Sequence, residues 1–503
     1  MKKPAPSTWM WEAPRLAVLG LAAYYVLSFV AVAAVRLRYP YALEWIEGGM
    51  LDEVRWGLAG HSLYVRPSVE YVPFIYNPLY FWIGAGLAKV LGASLLTLRL
   101  VSLASALGAL GLLYALVVEE TGERAMGLLA AGLYAGTFQV TQQFMDIARV
   151  DSLFVLLTLA PLYVLRRWPT TGGRVVAAVL LVLCFLAKQN GLLVAAPMVL
   201  FVLRDAARGA TTPAERLRGV PFAAIVVGGI AGSAWVLDAT SDGWYRYFAF
   251  ELPQGHPIVK GLWVDYWTSD LMGTFACACV GAVFVLLGPG AMPGRTRELW
   301  AAALAGVLLS SWAGRLHDGG WSNVLMPAYA MLAAMLALAF HGATTLARAA
   351  GGAVARRLEV VAALVALLQL LVLVYDPRRA LPSAKDEAAG DQVVATLRAA
   401  PGDTFTPTDS YLAALAGKPP HLHEMAVRDV LRGPQSETQR VLHDAIRDAL
   451  RSHRWAMLIT DDDFFASDVV DNYKRGPESV KEPNVFFPIT GMRVRPGWTF
   501  TPK

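Results

Sequence analysis

The sequence predicts a polytopic α-helical membrane protein of about eleven transmembrane helices, followed by a C-terminal soluble α/β domain. Three observations predict it. Of 503 residues, 56% are hydrophobic and only 17% charged, far from the balance of a soluble globule. Nearly charge-free runs of about 14 to 22 residues recur from residue 16 to residue 374, each close to what the roughly 30 Å hydrocarbon layer demands. After Tyr375 the runs stop, and residues 376–503 hold 17 basic and 18 acidic side chains among short apolar stretches. The division expected is therefore 1–375 in the membrane and 376–503 outside it.

In chain order the apolar runs are 16–35, 99–118, 126–144, 152–165, 174–187, 190–203, 219–238, 268–288, 299–314, 322–341 and 358–374. The first follows Lys2 and Lys3. A run of this length is long for a signal peptide, so an uncleaved anchor is expected. Arginines then mark alternate loops: Arg166, Arg167 and Arg174; Arg204, Arg208, Arg216 and Arg218; Arg295 and Arg297; Arg348, Arg356 and Arg357. The positive-inside rule puts those loops in the cytoplasm. Parity then requires residues 75–92 to lie along the outer face as an interfacial helix within one long external loop, 37–98. The aromatics Tyr71, Phe74, Tyr76, Tyr80 and Trp82 suit an interfacial belt in that loop.

The net charge of +5 resides in these short loops, so nucleic acid is excluded as a partner. Cys184, Cys277 and Cys279 fall inside apolar runs and read as small core residues, with neither a disulfide framework nor a zinc site.

The same topology gathers the polar clusters on the external face. In "LEWIEGG", Glu44 and Glu47 are spaced i, i+3 and share a face if helical, with Gly48-Gly49 ending or bending the helix. A carboxylate desolvated at the bilayer edge becomes basic enough to take a proton from a hydroxyl, so these are the candidate catalytic residues. Asp52 and Glu53 read as solvent residues or charges at a helix N-terminus. "FMDIARVDS" places Arg149 between Asp146 and Asp151, where it either snorkels or grips a phosphate. Lys188 and Asn190 lie in "AKQNG" between two short apolar runs, where an ammonium needs a compensating anion. "RLHDGGWSN" brings Arg315, His317 and Asn323, and "PQGHP" brings His256. Hydrogen bonding to phosphate or sugar is the expected role of these groups, since three or more metal ligands do not come together in sequence.

The loop that opens with these acids and runs through "GLAGHSLY" to "VPFIYNPLYFW" resembles the GT-C superfamily of integral-membrane glycosyltransferases. It is most similar to the polyprenyl-phosphate-sugar-dependent group that includes protein O-mannosyltransferases and aminoarabinose transferases. "ARVDSLFVLLTLAPLYVL", "FLAKQNGLLVAAPMVLFVL" and "HDGGWSNVLMPAYAMLAAM" follow in the family's order, so the resemblance covers about residues 15–375. It implies a sugar donor on a polyprenyl phosphate, a glycan, lipid or protein acceptor, inversion at the anomeric carbon, and a site outside the bacterial inner membrane. It implies an acid in the first external loop as general base, Glu47 matching best and Glu44 second, although the family's usual Asp is absent. Arg149, Lys188, Arg315 and His317 become phosphate ligands; Asp146, Asp151, Asn190, Asn323 and His256 become substrate-binding residues. No cofactor is required, and a divalent ion has room without being favoured. The rivals are a flippase for lipid-linked sugars, which needs no general base, and a non-catalytic envelope assembly factor.

In the C-terminal part, "GDTFTPTDSYLAALAG" reads as strand and short helix, "SETQRVLHDAIRDALRS" as a helix, and "RWAMLITDDD" as a strand ending in Asp461, Asp462 and Asp463. His421, His423 and Glu424 alternate in a way that permits a metal site without demanding one. Acceptor binding, or capping of the cavity, is the role expected of this domain.

Overall fold

A computed structural model describes residues 9–503 apart from 209, 289–291, 434 and 462. Lys2, Lys3 and Asp462 lie outside the described residues. The chain is a multi-pass helical membrane protein, with a four-stranded sheet near its C-terminus.

Each of the eleven apolar runs contains a helix, but the helices are unequal. Among the described residues, six are long and apolar enough to cross a bilayer, beginning with α1 (Trp9–Arg36) and α4 (Leu95–Thr121), and a bent pair at Gly352–Val372 and Pro377–Ala399 adds a seventh. α6 (Asp151–Arg167), α7 (Thr171–Ala187) and α8 (Gly191–Ala207) are each 17 residues long. The run at 126–144 is not one helix. α5 (Arg124–Gly136) stops after 13 residues, and 137–150 continue as buried turns in which Gln142 and Gln143 adopt positive φ. Irregular backbone at that depth is tolerable only where protein covers it, and this stretch is almost wholly buried. α3 (Leu79–Leu91) also has 13 residues, whose rise of roughly 20 Å falls short of the hydrocarbon layer.

The two ends of the bundle differ chemically. At one end the arginine-rich loops pair with acids: Arg174 and Arg295 with Asp205, Arg208 with Glu298, Arg166 with Glu120, and Arg15 with Glu123. At the other end α2 (Glu47–Leu58) and the loop around it are covered by the C-terminal residues. The Leu422 N–H donates to Val69 O, the Tyr411 hydroxyl accepts from Ala42 N–H, and Ser410 bonds Asp52.

The sheet has the order β1–β2–β4–β3, with β1 (Thr404–Phe405) parallel to β2 (Met457–Thr460). β4 (Trp498–Pro502) runs antiparallel to both β2 and β3 (Tyr473–Glu478). Phe405 stacks on Trp455, and Leu442, Ile446 and Leu450 of the helix Glu437–Arg451 supply buried apolar side chains.

Candidate active site

The covered end of the bundle holds two buried carboxylate–arginine systems that begin three residues apart. In the first, Glu47 and Arg99 are both fully buried and their charged groups meet at 2.7 Å. Glu47 Oε1 also accepts from Arg99 Nε at 2.9 Å and Ala148 N–H at 2.6 Å, and Oε2 from Leu43 N–H at 2.6 Å. Arg99 spends its remaining donors on the carbonyls of Arg36, Tyr39 and Tyr41. Burial alone would raise the Glu47 carboxyl, but Arg99 and these hydrogen bonds outweigh it and hold the group below its ordinary value. Asp146 belongs to the same system, 3.2 Å from the Nε of buried Arg36. Glu47 therefore ties the opening loop to α4 and the turns after α5, whereas Asp146 faces Arg36 of α1 with both of its oxygens, and that Nε, left without a hydrogen-bond partner. The Glu47 carboxylate takes four hydrogen bonds from the protein itself.

The second system is less satisfied. Glu44 precedes α2, so the pair shares no helical face, and the two carboxylates reach different arginines. Glu44 Oε2 accepts from Arg149 Nη1 at 3.0 Å and Ile46 N–H at 3.1 Å, while Oε1 takes no hydrogen bond from the described residues. Burial pushes the Glu44 carboxyl up to about 7, against the pull of Arg149. Arg149 gives Nη2 to the Tyr76 hydroxyl at 2.6 Å and lies over the rings of Tyr76 and Phe144; its Nε is buried without a partner. Asp151 sits 3.9 Å from that Nε, and its Oδ1 accepts from Lys188 Nζ at 2.8 Å and Asn323 Nδ2 at 2.9 Å. Its Oδ2 is also unpartnered. Asp151, Lys188, Asn190 and Asn323 line one narrow crevice, with Asn190 Nδ2 donating to Ser310 O. Six of the predicted residues thus gather here: Glu44, Arg149, Asp151 and Lys188 as one chain of charges, Asn323 bonded to Asp151, and Asn190 in the same crevice.

Arg315, His317 and His256 do not join that chain directly. Arg315 holds Asp270 at 2.7 Å and the Gly320 carbonyl at 2.6 Å, bracing the turn that leads to Asn323. His317 forms a bridge with Ile258 and has a buried, unpartnered Nδ1. His256 bonds the backbone carbonyl of Asp429 in the C-terminal part.

Several residues were assigned otherwise from sequence. Tyr71, Phe74 and Tyr80 are buried and Tyr76 is half-buried rather than facing the interface, and of that belt only Trp82 is exposed. Asp52, bonded by Ser410, and Glu53 are both buried, and burial raises them to about 6 and about 8. Glu53 is held by the Tyr71 hydroxyl and Phe74 N–H. Gly48 and Gly49 do not end α2 but lie inside it. A Cβ there would meet the rings of Tyr411 at 2.2 Å and Phe74 at 2.5 Å, so glycine permits the close approach of the cap. His423 uses both ring nitrogens, accepting from Met425 N–H and bonding Trp45 O, which leaves neither for a metal. Among the described residues, no group of three His, Cys, Asp or Glu side chains could hold a metal ion. Arg36, Arg99, Tyr76 and Asp429 were missed as site-forming residues. For Arg99 a signal existed, because an arginine at the head of an apolar run demands a partner.

A cavity of about 270 Å³ adjoins this end, lined by Glu53, Tyr64, Phe81, Trp82, Leu237 and Thr240 among others. The Tyr64 hydroxyl donates to the Tyr76 carbonyl, which links this cavity to the Arg149 system.

Comparison with known proteins places these features. Residues 72–229 match the sequence model of the dolichyl-phosphate-mannose-protein mannosyltransferase family. No curated protein matches the chain. Among solved structures, ArnT from Cupriavidus metallidurans bound to undecaprenyl phosphate is similar with a TM-score of 0.59 and 13% identity, covering 96% of this chain and 98% of that one. Its apo state gives 0.58 and 13%, covering 96% and 97%. Archaeal oligosaccharyltransferase AglB from Archaeoglobus fulgidus, in complex with an inhibitory peptide and a dolichol-phosphate, gives 0.49 and 12%, covering 87% and 69%. The chain thus has the GT-C fold of ArnT, as its sequence resemblance predicted, and contains a segment that matches the mannosyltransferase family.

Proposed function

We propose that this protein is an inverting glycosyltransferase that moves a sugar from a polyprenyl-phosphate carrier to an acceptor hydroxyl at the outer face of a bacterial inner membrane. The observation that carries the reading is the Glu44–Arg149–Asp151–Lys188 chain, in which a buried base stands beside two cations. The arginine-rich loops at the far end of the bundle support the outward placement of this site. Undecaprenyl phosphate bound to ArnT supports a carrier of that class.

In this reading Glu44 takes the proton from the acceptor hydroxyl, whose oxygen bonds to the anomeric carbon as the bond from that carbon to the phosphate oxygen breaks. The polyprenyl phosphate leaves with the bond's electron pair. Arg149 and Lys188 offset its charge, and in a water-poor site such groups act more strongly than in bulk solvent. One displacement inverts the anomer. Arg315 and His317 shape the turn beside the phosphate, and Asp151 and Asn323 hold Lys188 in place. Two cations at the leaving group make a metal unnecessary, so chelation with EDTA is expected to leave turnover unchanged. The cavity beside Tyr64 and Trp82 gives the lipid a side entrance.

The test is a transfer assay on the reconstituted protein. Glu44→Gln should bind carrier as the native protein does and lose roughly 10²- to 10⁴-fold in turnover, the usual contribution of a general base. A flippase would keep its rate of lipid translocation in Glu44→Gln and show no transfer in either protein.

A further inference from the structure

The helix Glu424–Arg432 of the C-terminal part carries a buried carboxylate, Asp429, whose Oδ1 has no hydrogen-bond donor among the described residues. Asp429 is 2% exposed. His256 Nε2 at 3.9 Å, on a ring that burial keeps neutral, and the Arg432 cation, with Nη1 at 4.0 Å, stand beyond hydrogen-bonding distance. Arg432 is itself drawn away, to Asp318 at 3.4 Å and the Asp318 carbonyl at 2.9 Å. Asp429 lies within electrostatic reach of both Arg149 and Tyr76, the residues that flank Glu44. Burial raises its carboxyl to about 7, as expected of an acceptor stripped of water and given no donor in exchange. A buried polar group left in this state costs free energy unless an incoming ligand satisfies it.

We propose that Asp429 accepts hydrogen bonds from hydroxyl groups of the sugar on the carrier, so that the C-terminal part forms one wall of the reaction chamber. The inference rests on the proposed function and deepens it. In a sugar phosphate the ring is bonded directly to the phosphate, on the side away from the lipid. An acceptor within reach of the phosphate-binding cations therefore faces the ring's hydroxyls. The contrast with Glu47 is instructive, because that buried carboxylate is filled by protein donors and has none to gain from a ligand. The site discriminates loaded from bare carrier, since a site built to hydrogen-bond a hydroxyl rejects the analogue lacking it.

The experiment measures binding of undecaprenyl phosphate, bare and carrying mannose, glucose or N-acetylglucosamine, to the full-length protein and to Asp429→Asn in detergent. The native protein is expected to bind bare carrier and to bind at least one loaded carrier about 10- to 100-fold more tightly. Asp429→Asn should keep the bare-carrier affinity and lose most of that preference. An unchanged preference in Asp429→Asn overturns the inference and leaves the proposed function standing, as does a preference intact beside a raised KM for the acceptor. Equal losses for bare and loaded carrier mark Asp429 as a structural residue and also overturn it. Equal affinities of the native protein for bare and all loaded carriers contradict a sugar contact at Asp429. Failure of the native protein to bind any of them overturns the proposed function and this inference with it.

Discussion

Glu47 with Arg99 and Glu44 with Arg149 are two buried ion pairs in one short stretch of chain, and they are built to opposite ends. Glu47 receives four hydrogen bonds, Arg99 gives its remaining donors to carbonyls, and nothing is left over for a substrate. Glu44 keeps one oxygen unbonded, Arg149 keeps Nε unpartnered, and Asp151 keeps Oδ2 unpartnered. A satisfied network rigidifies, whereas a network with unmet donors and acceptors is high in free energy until a ligand completes it. The comparison teaches that burial and charge alone do not mark a catalytic group. What separates Glu44 from Glu47 is the hydrogen-bonding capacity left after the protein has used its own.

The sharpest way to break the comparison is to neutralise each acid in turn. Glu44→Gln should lose roughly 10²- to 10⁴-fold in turnover with little change in melting temperature. Glu47→Gln should do the reverse in kind: removing one partner of a buried pair costs about 3–5 kcal/mol, so thermal unfolding and yield suffer first. Arg99→Met leaves Glu47 charged and unpaired and belongs to the same class. If Glu47→Gln melts like the native protein but is inactive, the two roles are exchanged. A smaller effect is expected for Lys188→Met. It should weaken carrier binding by about 10-fold, the order of one charge-assisted hydrogen bond, and flatten its salt dependence.

This division was half legible in the sequence. The apolar runs, their alternation with arginine loops and the gathering of Arg149, Lys188 and Asn323 all follow from composition and spacing, because solvent and bilayer impose them. The choice between Glu44 and Glu47 does not follow, since it depends on Arg99 lying 52 residues further along. The end of α5 at Gly136 was hidden for a similar reason. "TFQVTQQF" carries no charge and so passes as the tail of a span, and only surrounding protein allows its turns to be buried. Asp429 sits in a strongly amphipathic helix where one more acid looks like a solvent charge until the packing of His256 is known. β3, "YKRGPE", is largely exposed and has no clear alternation, so it carries no strand signal of its own.

The least effect is on stability against pH. Burial raises Glu44, Asp409, Glu424 and Asp429 to about 7 and Glu53 to about 8, so the folded protein retains protons that the unfolded chain releases near pH 4. Between about pH 6.5 and 8 the unfolded state therefore binds fewer protons than the folded one, and stability falls as pH rises. His421 and His423, lowered to about 4 by burial, act oppositely, but only below the ordinary histidine range. Melting curves across pH 6.5 to 8 should descend steadily. A rise across that window would mean that these carboxyls are ionised in the fold.

The claim that Glu44 is the base is tested most directly by the pH dependence of kcat/KM for sugar transfer. A base works when deprotonated, so the native profile should climb with a slope near one below about pH 7 and level off above it. In Glu44→Gln the climb should vanish and leave a low, flat line. A profile that keeps its acid limb in Glu44→Gln, and loses it in a correctly folded Glu47→Gln, would contradict the account.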